Sequence, residues 1–318
     1  MSDIYAAVDL GGTNIKAALA NADGNIIAED KIPTESQEGP EAVLERIAGL
    51  VRRLIETAGQ SPVALGMGAP GLVDIETGVT RFLPNMPTKW RDVPAGETLV
   101  QGLGCDVRLL NDVRMATLGE LVFGRGKPAD TMAFFALGTG VGGGIVIDNK
   151  LRLGPLGAAG EVGHQTIMPD GPLCGCGNRG CLETLVSGPA IAAEGIRLME
   201  TGLAPMLHEI VGGDAGKVST REMKQAADAG EASIADAIQR AGDYLGTGVA
   251  NVVLTLHPDL VVLGGGVSNL GELLLEPVRN ALREKVRLFP PESVQVELSA
   301  LGDKAGIMGG IALASRGV

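Results

Sequence analysis

The sequence predicts an α/β protein of two lobes built from a duplicated unit, and three observations carry that prediction. Strand-like and helix-like segments alternate along the first half of the chain, the pattern of layered α/β domains. A unit of strand, glycine turn and strand at residues 4–31 recurs at residues 132–151, the mark of an internal repeat. The length, 318 residues with 45% hydrophobic side chains, is enough to build two cores.

The elements follow in order. Ala6-Ala7-Val8 leads into Asp9-Leu-Gly11-Gly12-Thr13, then Ile15 to Leu19, a turn at Asp23-Gly24, and Ile26 to Ala28, which reads as three strands joined by tight turns. Val43, Leu44, Ile47, Leu50, Val51, Leu54 and Ile55 recur at helical spacing, predicting a helix over Pro40–Ala58. Strands are expected at Val63–Met67 and Val107–Leu110, separated by a long loop, with a helix over Val113–Phe123. In the repeat, Met132–Leu137 is the first strand, Gly138-Thr139-Gly140 the turn, and Gly143–Ile147 the next strand, followed by a turn at Asp148-Asn149. The second half is richer in helices. Ser219 and Glu222 have capping-box spacing, a long segment from Glu231 to His257 stops at Pro258, and Asp259–Leu263 is a buried strand ending in Gly264-Gly265-Gly266. The tail, Gly306–Ala314, reads as a helix that packs back on the first lobe.

Composition narrows the function. A formal charge of −12 argues against a nucleic-acid partner, because phosphate binding there is driven by Lys and Arg. No apolar run reaches the roughly 18 residues of a spanning helix. The start, Met-Ser-Asp-Ile, lacks a charged n-region and an apolar h-region, so a cytoplasmic protein is expected.

The densest chemistry lies between Glu161-Val-Gly-His164 and Cys174-Gly-Cys176-Gly-Asn-Arg-Gly-Cys181-Leu-Glu183. Three of the four cysteines and one of three histidines stand together among glycines. One His with three Cys satisfies a tetrahedral zinc and leaves no open position, so the expected metal is structural, held by His164, Cys174, Cys176 and Cys181. A disulfide or reduced structural thiols are the alternatives. Cys105 sits apart in an apolar run and reads as core, while His208 and His257 read as structural or exposed.

Two stretches match G-x-G-x-x-G, at Gly66–Gly71 and Gly138–Gly143. Pro70 interrupts the first and a β-branched strand follows the second, whereas a dinucleotide fold needs a helix there. A Walker loop is also missing from the sequence. Tight glycine turns can still gather backbone N–H groups around an anion, so two of them, one per lobe, would clamp a polyphosphate, with Asp9 placed to hold Mg²⁺. Either turn by itself is also compatible with a plain hairpin. Asn111-Asp112, closing the strand Val107–Leu110, fits a helix cap or a base projecting into a cleft.

Taken together, these motifs resemble the ROK sugar kinases, within the actin-like and hexokinase-like phosphotransferases. The resemblance covers nearly the whole chain, and its nearest subgroup is the bacterial glucokinases. It implies duplicated ribonuclease-H-like domains around an interlobe cleft, divided as residues 1–112 plus about 303–318 against 113–302, the second lobe carrying the zinc loop. Asp9-Leu-Gly-Gly-Thr-Asn-Ile-Lys16 is similar to the first phosphate loop and Leu137–Gly144 to the second. Asp9, Gly11, Gly12, Thr13, Lys16, Gly138, Thr139 and Gly140 would then meet ATP and Mg²⁺, and Gly264, Gly265 and Gly266 the adenosine. Asn111-Asp112 with Ala116, Gly119, Glu120 and Gly124 matches the catalytic segment, making Asp112 the base. Gly68, Asn85, Asn111, Asp112, Glu161, His164 and Glu183 would line a hexose pocket, their donors and acceptors suited to sugar hydroxyls.

The resemblance implies an ATP-dependent conversion of glucose to glucose 6-phosphate by a homodimer or homotetramer. N-acetylmannosamine, N-acetylglucosamine, mannose and fructose are alternative acceptors, and polyphosphate an alternative donor. The family also contains sugar-responsive repressors with an N-terminal helix-turn-helix, but only eight residues precede Asp9. A non-catalytic sugar-binding protein would be marked by loss of Asp112 or a phosphate loop, and both are present.

Overall fold

The computed structural model describes residues 3–83, 86–88 and 90–318. In chain order the elements are β1 (Ile4–Leu10), β2 (Asn14–Asn21), β3 (Ile26–Pro33), α1 (Pro40–Ala58), β4 (Ala64–Ala69), β5 (Leu72–Asp74), β6 (Val79–Phe82), β7 (Arg91–Val93), α2 (Ala95–Leu103), β8 (Asp106–Asn111) and α3 (Asp112–Phe123). Then come β9 (Met132–Leu137), β10 (Val141–Ile147), β11 (Lys150–Arg152), α4 (Glu183–Val186), α5 (Gly188–Glu200), α6 (Pro205–Val211), α7 (Thr220–Asp228), α8 (Ala232–Leu256), β12 (Leu260–Gly264), α9 (Glu272–Lys285), β13 (Gln295–Leu298) and α10 (Ala305–Arg316).

Two five-stranded sheets repeat one order, β3-β2-β1-β4-β8 and β11-β10-β9-β12-β13. In the first, β1 and β2 are antiparallel while β1, β4 and β8 run parallel. In the second, β10 and β11 are antiparallel and β9, β12 and β13 parallel. The expected duplication is therefore present as topology. A third sheet, β5-β6-β7, occupies what the sequence presents as a long loop. Its strands are three or four residues long, too short for alternation to register.

The chain divides into two compact units, Met1–Pro128 with Gly144–Gly160 and Ala300–Val318, and Ala129–Gly143 with Glu161–Ser299. The expectation placed a boundary after Asp112; the contacts place it after Pro128, because α3 packs on α10 within the first unit. No helix of the described residues is long and apolar enough to cross a membrane.

α1 spans the residues its periodicity predicts, and it buries Val43, Leu44, Ile47, Leu50, Val51 and Leu54. The helix stops where Gly59 takes the left-handed conformation, as helix ends commonly do. α10 packs against β1, β4 and α3 with almost no side chain between backbones. A Cβ at Gly66 in β4 would collide with the carbonyl of Gly310, and one at Gly309 with the carbonyl of Met115. Gly66 and Gly68 of the first G-x-G-x-x-G stretch thus serve close strand and helix packing. Buried Glu120 ties α3 to this seam: Oε1 accepts from Leu301 N at 3.0 Å and Oε2 from Arg125 N at 3.0 Å. Backbone donors of this kind offset the cost of burying a polar group.

Gly309→Ala should lower thermal stability by about 1–3 kcal/mol, the usual cost of overpacking a filled core. Gly49 in α1 has no described atom within 4 Å of a would-be Cβ, so Gly49→Ala should instead raise stability by about 0.4–1 kcal/mol. Thermal denaturation of the two variants checks the contrast, and equal shifts would contradict it.

Candidate active site

In the first unit, chemistry collects at the carboxyl ends of β1, β4 and β8, where open α/β sheets gather ligands. Asp9 ends β1 opposite Lys16 of β2 and beside Gly68 of β4. Its carboxylate lies against the first turn of α10, where a Cβ at Gly306 would stand 2.9 Å from Oδ2. Burial raises the Asp9 pKa above the ordinary carboxylate value, and the Lys16 charge works in the opposite direction. Lys16 Nζ also donates to the carbonyl of Asp303 at 3.3 Å.

The turn between β1 and β2 is fixed from outside. Gly11 N donates to Asn14 O at 3.0 Å, Thr34 N to Thr13 O at 2.9 Å, and Thr34 Oγ1 to Gly11 O at 2.7 Å. Gly12 has no left-handed φ, and a Cβ there would meet no described atom within 4 Å. Gly138, its counterpart in the repeat, is the same on both counts. Neither glycine is required by the fold's own packing. What glycine leaves at both positions is bare backbone with open space before it, the surface an anion needs to approach.

Asn111 and Asp112 divide the two roles left open by the sequence. Asn111 is the N-cap of α3: its Oδ1 accepts from Val113 N at 3.1 Å and Arg114 N at 3.2 Å, and its Nδ2 donates to Gly71 O at 3.0 Å. Asp112, the first helical residue, accepts from Val113 N at 2.8 Å through Oδ1, which leaves Oδ2 for other chemistry. Burial, and then the charge of Asp9, push the Asp112 pKa up to about 6, against the lowering effects of the Val113 N–H and buried Arg114. A carboxylate tuned toward neutrality is suited to accept a proton from a hydroxyl. Gly68 is buried in β4 against Met115, and its absent Cβ lets Asp112 Cα approach. Asn85 lies outside the described residues.

In the second unit, Gly138 N donates to Gly140 O at 2.9 Å to close the turn. Beside it opens a cavity of about 430 Å³, lined by Gly138, Thr139, Gly188, Pro189, Ala192, Val218, Ser219, Thr220, Gly266 and Val267. Of the three glycines at the end of β12, Gly266 lines this cavity, whereas Gly265 (φ 84°) turns the chain against Leu137 and Gly264 packs on Phe134. Sequence reasoning missed the contribution of α5 and residues 218–220. The available signal was their caps: Ser187 accepts from Ala190 N at the start of α5, and Ser219 from Arg221 N at the start of α7.

The His/Cys cluster forms as its spacing predicts. The ligand atoms of His164, Cys174, Cys176 and Cys181 all lie within 4.8 Å of one another. Tetrahedral zinc with Zn–S of about 2.3 Å and Zn–N of about 2.0–2.1 Å would set S to S at about 3.8 Å and S to N at about 3.6 Å. Cys176 and Cys181 Sγ are 3.7 Å apart, and Cys174 Sγ is 3.6 Å from His164 Nδ1. Burial pushes the Cys181 thiol up to about 12 and raises Cys174, while the Asn178 amide lowers Cys176. As thiolates, the three sulfurs would need a cation this close, and the donor set fits zinc. With Nδ1 turned to the sulfurs, Nε2 of His164 is left to act elsewhere.

Around the cluster, Glu161 is exposed just ahead of a short helical turn. Gly163 within that turn lies so close to the Val141 carbonyl that no side chain would fit. Glu183 opens α4, two residues beyond Cys181. Its Oε2 accepts from Val141 N at 2.9 Å, and its Oε1 lies 3.7 Å from Cys174 Sγ. The other histidines are exposed: His257 caps α8 with its ring 4.2 Å from Phe289, and His208 sits beside Gly213. Cys105 packs half-buried against the first unit's core.

Comparison with known proteins follows the same lines. The sequence profile described as ROK family matches residues 5–317. A glucokinase from Halalkalibacterium halodurans is 34% identical, over 96% of this chain and 93% of its own. A xylose repressor from Caldicellulosiruptor bescii is 32% identical over 96% of this chain and 76% of its own. Among solved structures, a ROK family glucokinase from Streptomyces griseus in complex with glucose and AMPPNP superposes with a TM-score of 0.85 and 34% identity, covering 99% of this chain and 100% of that one.

The cluster's geometry predicts one equivalent of zinc by elemental analysis. Cys176→Ala should lose it and, because structural zinc contributes folding energy, should also melt lower. Full zinc occupancy in Cys176→Ala would contradict the four-ligand assignment.

Proposed function

Because the chain belongs to the ROK family, we propose that it is an ATP-dependent glucokinase, transferring the γ-phosphoryl group of ATP to the 6-hydroxyl of glucose. The observation that carries this reading is Asp112: a carboxylate at a parallel-strand end, held by Val113 N through Oδ1 alone and with its pKa raised to about 6. Phosphoryl transfer asks the protein mainly for positioning and electrostatics, with a base to receive the hydroxyl proton. Asp112 takes that proton as the hydroxyl oxygen attacks the γ-phosphorus and ADP leaves.

The other roles follow the donor and acceptor chemistry. The turns at Gly11-Gly12-Thr13 and Gly138-Thr139-Gly140 present backbone N–H groups to the phosphates, and Lys16 adds charge. Asp9 is the residue to hold Mg²⁺, which when bound offsets charge on the phosphate oxygens. The adenosine enters the cavity beside α5, bounded by Gly266. Glu161, His164 and Glu183, with Gly68, Asn85 and Asn111, bind the sugar. His164 uses Nε2 for this while zinc on Nδ1 fixes the ring. A cytoplasmic homodimer or homotetramer fits the family, and free thiols fit a reducing compartment.

Coupled ADP-release assays over glucose, mannose, N-acetylglucosamine, N-acetylmannosamine and fructose should give glucose the highest kcat/KM. Preference for another sugar would move the assignment to that kinase, and no turnover with any of them would favour a regulator like the xylose repressors. Asp112→Asn should reduce kcat by about 10²–10⁴-fold, the range for a positioned base, with glucose binding little changed; near-normal turnover in a folded variant would exclude the role.

A base must be ionised to work, so activity should be lost as pH falls through the raised pKa. The kcat/KM profile should show an acid limb near 6. A profile flat down to about pH 4.5, near an ordinary carboxylate, would contradict the assignment.

A further inference from the structure

Val141 opens β10 directly after the Gly138–Gly140 turn, and segments carrying the cluster's neighbours grip its backbone on both sides. Its N–H donates to Glu183 Oε2 at 2.9 Å. A Cβ at Gly140 would stand 2.5 Å from that same oxygen, so only glycine there lets the carboxylate reach Val141. On the carbonyl side, Gly163 presses against Val141 O too closely for any side chain. The far end of the turn is fastened by the same stretch as Glu183, since Gly188 N donates to Gly138 O at 2.8 Å. Ser187 N in turn donates to the Glu183 carbonyl at 3.1 Å, so residues 183–188 run along the turn as one brace.

The turn has little to hold it otherwise. Gly138 has open space before it, Thr139 is exposed, and Gly138 N to Gly140 O is its internal bond. A turn that binds an anion through backbone N–H groups gains most when those groups are already aimed. A hydrogen bond to a carboxylate is among the stronger fastenings available.

We propose that Glu183 is a positioning residue for the second phosphate turn, its Oε2 clasping Val141 N so that the turn's remaining amides, those of Thr139 and Gly140, are held ready for nucleotide phosphate. This rests on the reading that the turn binds ATP, and it gives one carboxylate two duties, at the sugar wall and behind the phosphate turn. Loss of Glu183 reaches the nucleotide as well as the sugar.

The test uses the full chain as wild type, Glu183→Ala and Glu183→Gln, with two readouts that need no turnover: hydrogen exchange of amides 138–143 without ligand, and AMPPNP binding by calorimetry without sugar. In Glu183→Ala, exchange at Val141 should accelerate at least about tenfold and AMPPNP should bind about tenfold more weakly, the scale of one lost hydrogen bond to a charged group. Glu183→Gln retains a side-chain oxygen for Val141 N and should restore most of both. Unchanged exchange and AMPPNP affinity in Glu183→Ala would overturn the clasp, leaving Glu183 a sugar ligand alone. Failure of AMPPNP to bind the wild-type protein would strike the nucleotide reading instead, and exchange at Val141 would still decide the clasp. Should Glu183→Ala not fold, Gly140→Ala displaces the same carboxylate with its charge retained and carries the same exchange expectation.

Discussion

Two like charges held near each other away from bulk water resist ionising together, and the first unit sets Asp9 and Asp112 in that relation. Each has a raised pKa from burial, and the Asp9 charge adds to the shift at Asp112. Parallel pairing of β1, β4 and β8 brings the two strand ends to one edge. Gly68 between them contributes no side chain, so the Asp112 backbone comes close. The arrangement is costly to stability and useful for chemistry: it produces a carboxylate that titrates near 6 and a second one beside it with its pKa also raised.

The glycine seam is what makes that edge possible. α10 lies against β4 at backbone contact through Gly66 and Gly310, and α3 against α10 through Gly309 and Gly119. This closeness brings Gly306 at the start of α10 against Asp9 and sets the N-terminus of α3 at Asp112. Buried Glu120 fastens the far end of α3 to Leu301. Methyl groups on these glycines would move the helices by fractions of an ångström to more than one, and misplacement on that scale is costly for catalysis.

Much of this was legible in the sequence where the signal is local. The bounds of α1, the two glycine hairpins, the four-residue His/Cys cluster and the Asn111-Asp112 helix start are each written in a short window. What was not legible depends on residues distant in sequence. Gly66 and Gly68 look like a phosphate motif until Gly310 and Met115 are seen against them. The cavity wall from α5 and residues 218–220, about 50 to 80 positions beyond Gly138, has ordinary caps as its sole trace. The bond from Val141 N to Glu183 joins residues 42 apart, and no periodicity encodes it. The β5-β6-β7 sheet escaped for a different reason, its strands being shorter than the window that reveals alternation.

The account turns on the environment of Asp112, which ¹³C-carboxyl NMR titration reads directly in the resting protein. The wild-type carboxyl should titrate near 6. In Asp9→Asn it should titrate lower, because a like charge has gone, yet stay above the ordinary carboxylate value because burial remains. An Asp112 that titrates near the ordinary value of about 3.9, unmoved by Asp9→Asn, would contradict the account.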